Sequence, residues 1–405
     1  MTIKISGSPQ FIELLIPEGE VNMDSLPEIS IVVPALNEEI TIGEFVDWCR
    51  EGLKRAGVSG EIIIVDSSSD DTPNIALAKG ARVLRTPKRG LGQAYIDVIP
   101  YIRGKYSILG DCDLTYDFRA LAAFVKVLHT GAEFVMGSRF RGYIEPGAMP
   151  PLHRYFGTPL TTFILNFIYK SHYTDIHCGM RALTTEDFKR LDLQSRSWEY
   201  ASEMVLKAAR MKMRIAEAPV CFYKDRAGRL SHHKRSGWFS PWNAGWINLK
   251  AMFLNAPEFF LFRPGAVVFC IGFFLALLTA FGPRTIGPVT FSLHWMLLGL
   301  TLATVGCGAF QLGILGRVWH NFDPEFTVWI QRVLTYNRGT LGGIGTMAVG
   351  IIFAITAVVN YLSGGLRLSD IQYVSVFGLL LIILGFQFFT FTLIFELIVN
   401  NKTTK

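Results

Sequence analysis

Tyr106-Ser107-Ile108-Leu109-Gly110-Asp111-Cys112-Asp113 is an apolar run that ends in a glycine and then in two acids one residue apart. Side chains alternate along an extended chain, so Asp111 and Asp113 can face one side. Outward from this stretch the pattern repeats. Strand-like runs at 29–33, 61–65, 82–84, 106–109 and 134–136 alternate with helix-like patterns at 38–54, 72–79, 91–101 and 118–129. This order predicts an α/β domain, a mostly parallel Rossmann-like sheet with helices on both faces. Ligands of such sheets bind beyond the carboxyl ends of the strands.

Those ends carry the chemistry. The first run leads into Pro34-Ala35-Leu36-Asn37-Glu38-Glu39 and the second into Asp66-Ser67-Ser68-Ser69-Asp70-Asp71-Thr72. The fourth leads into Asp111-Cys112-Asp113, the fifth into Gly137-Ser138-Arg139-Phe140. Asp and Ser also cap helices and make turns, but four polar ends on one rim point to a site. Mg²⁺ or Mn²⁺ takes carboxylate oxygens together with substrate phosphate oxygens, so Asp111 and Asp113 are the candidate metal ligands. Lys88-Arg89-Gly90-Leu91-Gly92 joins positive charge to a glycine-rich helix start, where an anion is favoured. An ordinary basic loop would read the same way.

The 405 residues are half hydrophobic, with a mean hydropathy of +0.32 and a net charge of +6. That charge suits a membrane surface and anionic ligands rather than nucleic acid. The six cysteines are scattered without metal-ligand spacing, as reduced cytosolic thiols are. Residues 11–16 are too short and too acidic for a signal peptide, which keeps the polar half on the cytoplasmic side. After Arg263-Pro264 the chain changes solvent. Stretches 264–281, 294–315, 341–362 and 374–399 are each apolar enough to cross a bilayer core of about 20 helical residues. Basic residues favour the cytoplasmic side. Arg317, Arg332, Arg338, Lys402 and Lys405 therefore place both termini in the cytoplasm. Glu396, the one acid within a span, reads as reaching the cytosolic interface. The expected domains are a 1–23 extension, a 24–240 catalytic domain, a 241–263 amphipathic helix with Trp242, Trp246, Leu249 and Phe253 on one face, and a 264–405 four-helix transmembrane domain.

The motif series in residues 34–39, 66–72, 89–94, 111–113 and 137–140 resembles that of family 2 glycosyltransferases. Within them it is most similar to dolichyl-phosphate mannose and glucose synthases and their bacterial polyprenyl-phosphate relatives. The resemblance implies a GT-A fold, a UDP- or GDP-hexose donor, a divalent cation and inversion at the anomeric carbon. It implies that Pro34, Asn37 and Glu38 line the nucleotide site and Asp66 contacts the base. Lys88, Arg89 and Gly92 would serve the diphosphate. Asp111 would touch ribose or sugar, Asp113 would bind the metal and Arg139 would meet the phosphates. Relatives often carry glutamine where this chain has Thr115.

The second half of the domain resembles an acceptor site. Arg154 and Thr158 match an arginine that precedes a hydroxyl residue by four positions and holds a lipid phosphate in relatives. Segments 175–181 and 198–204 continue the likeness, and Arg226, Arg229 and Lys234 lie in a cationic loop near the expected acceptor. Stretch 160–169 reads as an interfacial or a buried helix. A phosphate acceptor needs no general base, because with a second pKa of about 6 it is already mostly dianionic. The leading expectation is a hexosyltransferase acting on polyprenyl phosphate. A processive polysaccharide synthase would carry Q-x-x-R-W, which is absent from the sequence. A non-catalytic transporter or scaffold is the third reading, and assembly as a homo-oligomer is left open.

Overall fold

The structure is a computed structural model that describes residues 2–4, 12–17, 26–226, 228, 256–320, 324–364 and 372–403. The chain divides into two compact units, 1–252 and 253–405.

Among the described residues of the first unit the strands are β1 (Thr2–Lys4), β2 (Glu13–Leu15), β3 (Ile29–Ala35), β4 (Gly60–Asp66), β5 (Arg82–Arg85), β6 (Tyr106–Leu109), β7 (Phe134–Ile144), β8 (Arg181–Thr184) and β9 (Ile215–Phe222). They form one sheet in the order β1-β2-β5-β4-β3-β6-β8-β7-β9. The block β5-β4-β3-β6 is parallel. β8 runs antiparallel to both β6 and β7, and β9 is parallel to β7. Residues 13–15 of the expected extension pair with β5 and lengthen the sheet.

Helix α1 (Ile42–Ala56) shows how sequence sets the packing. Ile42, Phe45, Val46, Cys49 and Leu53 recur at helical spacing and all are buried. Phe45 meets Phe118 edge-on with ring centroids 4.9 Å apart. Gly57, at φ +67°, takes the left-handed turn that ends the helix. The helix starts later than the pattern at 38 suggests, because residues 37–41 turn first, with Thr41 N–H donating to the Glu38 carbonyl. Among the described residues the further α-helices of the unit are α2 (Thr72–Ala78), α3 (Leu91–Val98), α4 (Ala122–His129), α5 (Thr158–Tyr169), α6 (Thr185–Arg190) and α7 (Tyr200–Arg210). One expectation is corrected. Gly137-Ser138-Arg139-Phe140 does not follow a strand but lies inside β7, which runs on to Ile144. A register shift against β9 between Ser138 and Tyr143 bends the strand there.

The second unit contains α8 (Arg263–Thr279), α9 (Leu293–His320), α10 (Pro324–Val333), α11 (Tyr336–Ser363) and α12 (Tyr373–Thr403), with a hairpin of β10 (Arg284–Ile286) and β11 (Val289–Phe291). Helical segments Glu258–Thr279, Leu293–Trp319, Tyr336–Ser363 and Tyr373–Asn400 are long and apolar enough to cross a membrane. Backbones approach closely where side chains are missing. A Cβ on Gly272 would lie 2.2 Å from the Ala303 nitrogen, and one on Gly350 would lie 2.6 Å from the Gly378 carbonyl oxygen. Of the expected helix at 241–263, residues 241–255 lie outside the described residues; 258–262 continue into α8.

Candidate active site

The loops after β3 and β4 are stitched to each other. Asn37 sits at φ +57°. Its N–H donates to Ser68 Oγ at 2.7 Å, and its Oδ1 accepts from the Ser69 N–H at 2.9 Å. Glu38 is buried; its N–H donates to Thr72 Oγ1 at 2.9 Å and its Oε2 accepts from Thr41 Oγ1 at 3.1 Å. Pro34 contributes its carbonyl to Cys112 Sγ at 3.4 Å, which ties the β3 end to the D-x-D.

Asp66 is fully buried. Its Oδ2 pairs with Arg85 and accepts from the Ser68 N–H at 3.3 Å, while Oδ1 is buried without a hydrogen-bond partner. Burial raises the Asp66 carboxyl above its usual range, although Ser68 and Arg85 pull it down. Arg85 also donates to the Ser68 carbonyl at 3.2 Å. Its place on this rim was missed in the sequence, where the strand is read as ending at Leu84.

At the end of β6, Tyr95 Oη donates to the Gly110 carbonyl at 3.0 Å. Asp111 and Asp113 follow, and Leu114 turns the chain at φ +63°. Thr115 gives its N–H at 3.0 Å and its hydroxyl at 2.6 Å to Asp113 Oδ1. Gly179 abuts the other acid: a Cβ there would sit 2.4 Å from Asp111 Oδ2. The Gly179 N–H donates to Tyr116 Oη at 2.8 Å. Among the described residues, no group of three or more His, Cys, Asp or Glu side chains forms a metal cage. A donor set of two carboxylates fits a hard cation that takes its other oxygens from substrate phosphate and water.

Arg139 is 8% exposed and locked to Asp175 by two parallel bonds, Nε–Oδ2 at 2.7 Å and Nη2–Oδ1 at 2.9 Å. Its guanidinium lies 5.3 Å from the Phe222 ring centroid. Asp175, fully buried, was not singled out from the sequence. Lys88 and Arg89 are exposed, and Arg89 pairs with Asp97 at 2.7 Å. Gly92 is buried, and a Cβ there would lie 2.1 Å from the Ser195 carbonyl oxygen. The close approach it permits is thus to the chain's own 195–196 backbone.

Of the residues expected to meet the acceptor, Arg154 is half-buried beside Tyr155 and Thr158 is buried. Tyr155, Phe163 and Phe167 are 66–74% exposed, and Leu152, Phe156 and Leu160 are exposed beside them in sequence. The 160–169 stretch thus shows solvent an apolar face, while Thr162 and Leu165 pack inward. His177 Nε2 lies 2.8 Å from Thr161 Oγ1, and burial pushes its pKa down to about 4. Arg226 pairs with Glu44. Arg229 and Lys234 lie outside the described residues. The strand leading to that loop is tied to the D-x-D loop: Tyr223 N–H donates to the Thr115 carbonyl at 2.8 Å, and Tyr223 Oη donates to Asp117 at 3.1 Å.

Residues 30–192 match the family model described as Glycosyl transferase family 2, and residues 317–399 match the Glycosyltransferase family 2 C-terminal transmembrane region. The low-salt glycan biosynthesis hexosyltransferase Agl6 of Haloferax volcanii is 32% identical over 370 residues, covering 90% of this chain and 87% of the relative. A dolichyl-phosphate hexose transferase of the same organism is 28% identical over 204 residues, 50% of this chain and 85% of the relative. Among solved structures, glucosyl-3-phosphoglycerate synthase from Mycobacterium tuberculosis, crystallised with Mn²⁺, UDP and phosphoglyceric acid, aligns at a TM-score of 0.42 and 22% identity, covering 57% of this chain and 78% of that one.

Proposed function

We propose, from the premise that this chain belongs to glycosyl transferase family 2 and is a membrane glycosyltransferase, that it transfers a hexose from UDP- or GDP-hexose to a polyprenyl phosphate. The product would be a lipid-phosphate-linked sugar of inverted anomeric configuration. The observation that carries the lipid acceptor is the exposed apolar face of Leu152, Tyr155, Phe156, Leu160, Phe163 and Phe167, beside Arg154 in sequence. Exposed Phe and Leu side chains on a helix favour burial at the headgroup–acyl boundary of a membrane, and an arginine among them suits a phosphate on a lipid tail. The dolichyl-phosphate hexose transferase relative supports the same reading.

In this reading Asp111 and Asp113 hold Mg²⁺ or Mn²⁺, whose charge offsets that of the donor diphosphate when it is bound. Thr115 keeps Asp113 oriented. Lys88 and Arg89 face the diphosphate. Pro34, Asn37, Glu38 and Asp66 shape the nucleotide site, the last through Arg85. Arg139 acts as a positioning residue by fixing Asp175, two residues before His177 and four before Gly179. Arg154 and Arg226, with Arg229 and Lys234, receive the acceptor phosphate. A phosphate oxygen attacks the anomeric carbon, the bond to the donor diphosphate breaks, and the nucleoside diphosphate leaves. No side chain need remove a proton, since the acceptor phosphate is already ionised. The catalytic unit works on the cytoplasmic side.

Full-length protein in liposomes with Mn²⁺, polyprenyl phosphate and radiolabelled UDP-glucose or GDP-mannose tests this. A single-sugar, organic-soluble product is expected, and Asp113→Ala should lower its rate by about 10³-fold or more in a folded protein. A polymeric product, or sugar-nucleotide binding without transfer, would refute the proposal.

A further inference from the structure

Glu199 stands immediately before α7 and makes no side-chain capping bond to it; its Oε2 is buried with no hydrogen-bond partner. A buried carboxylate oxygen left without a donor carries an uncompensated desolvation cost. Such groups call for an explanation, and the surroundings supply one. The segment around Glu199 lies between three parts of the active site. A Cβ on Gly90 would fall 2.3 Å from the Arg196 carbonyl oxygen, and one on Gly92 would fall 2.9 Å from Tyr200 Cβ, so residues 195–200 rest on the helix start that faces the diphosphate. The Tyr200 ring lies 4.8 Å from that of Tyr95, whose hydroxyl holds the carbonyl of Gly110 next to Asp111. Arg181 joins the first turn of α7 to the segment bearing Gly179, donating to the Ala201 carbonyl at 2.6 Å and the Cys178 carbonyl at 3.1 Å. Trp198, the preceding residue, is 47% exposed.

We infer that Glu199 is the carboxylate that accepts hydrogen bonds from the hexose hydroxyls of the donor. This rests on the glycosyltransferase reading above, in which the hexose hangs from the diphosphate beside Asp111. Of the donor's parts, the hexose brings the most neutral O–H donors to that spot, more than the two of the ribose, which the bare nucleotide also carries. A second acid, Glu203, is committed elsewhere. It accepts from the Gln194 and Ser195 N–H groups, the latter at 2.8 Å, and pairs with Lys207 at 2.7 Å. It anchors the loop, and Glu199 is left for the ligand.

The test compares the wild type, Glu199→Ala and Glu199→Gln as full-length protein in nanodiscs with Mn²⁺. Binding of UDP, UDP-glucose, GDP and GDP-mannose is measured together with thermal unfolding. The wild type should bind a sugar nucleotide more tightly than the bare nucleotide. Glu199→Ala should lose that increment, about tenfold, while its affinity for the bare nucleotide stays within about twofold and its melting temperature does not fall. Glu199→Gln, which keeps an acceptor oxygen, should fall between. An alanine variant that keeps the sugar increment, or one that loses bare-nucleotide affinity and stability together, overturns the assignment. A wild type that binds neither sugar nucleotide overturns the functional reading itself and this assignment with it.

Discussion

Thr115 closes a three-residue turn onto Asp113, in which the threonine N–H and hydroxyl both donate to one carboxylate oxygen, at 3.0 and 2.6 Å. Thr115 therefore fixes the orientation of the carboxylate that, in the proposed reading, binds the metal. Supports of this kind are worth about 10–100-fold in metal affinity or activity. Thr115→Val should raise the Mn²⁺ concentration needed for half-maximal transfer by about tenfold, whereas Thr115→Ser should stay within about threefold. Metal titrations of the transfer rate measure both.

Gly179 is a packing requirement of Asp111. An alanine methyl there would meet Asp111 Oδ2 at 2.4 Å and Tyr116 Cε2 at 2.9 Å. Gly179→Ala should cost about 1–3 kcal/mol from overpacking and displace the carboxylate. Thermal unfolding should show a drop of several degrees, accompanied by a loss of transfer.

Arg139 and Asp175 form a buried pair in which each charge depends on the other. Asp175→Ala leaves the guanidinium without its partner and should destabilise the catalytic unit by about 3–5 kcal/mol. Replacing both at once, Arg139→Met with Asp175→Leu, should recover most of that loss. Denaturant unfolding measures the stability of both variants, and the transfer rate of the double variant distinguishes a positioning pair from an arginine needed for its own charge, since the double variant would in the latter case be stable but inactive.

His177 gives acid a hold on this region. Its folded pKa of about 4 lies below the ordinary 6.5 because burial disfavours the cation. Above pH 6.5 the ring is neutral folded and unfolded, and it contributes no pH dependence. As pH falls from 6.5 towards 4 the unfolded chain takes up the proton first, so stability declines, by up to about 3 kcal/mol. Below that the effect levels off. Melting temperatures over this window should fall less steeply in His177→Gln than in the wild type.

Local patterning settled much of this protein in advance. The strands at 29, 61, 82, 106 and 134 are legible as short continuous apolar runs, buried along their length, and the four helices as long stretches apolar on all faces, each punctuated by turn residues. The D-x-D was legible because both acids follow one strand. What the linear order could not supply was which side chains meet. Asp175 clamps Arg139 from 36 residues away, Arg85 covers Asp66 from the next strand, and the 195–196 backbone occupies the space left open by Gly90 and Gly92. The first follows from β8 entering antiparallel between β6 and β7, and the second from the parallel pairing of β4 with β5. Periodicity reports which face a residue turns inward, but only the packed topology decides what it finds there, since contacts across the sheet leave no spacing in the chain.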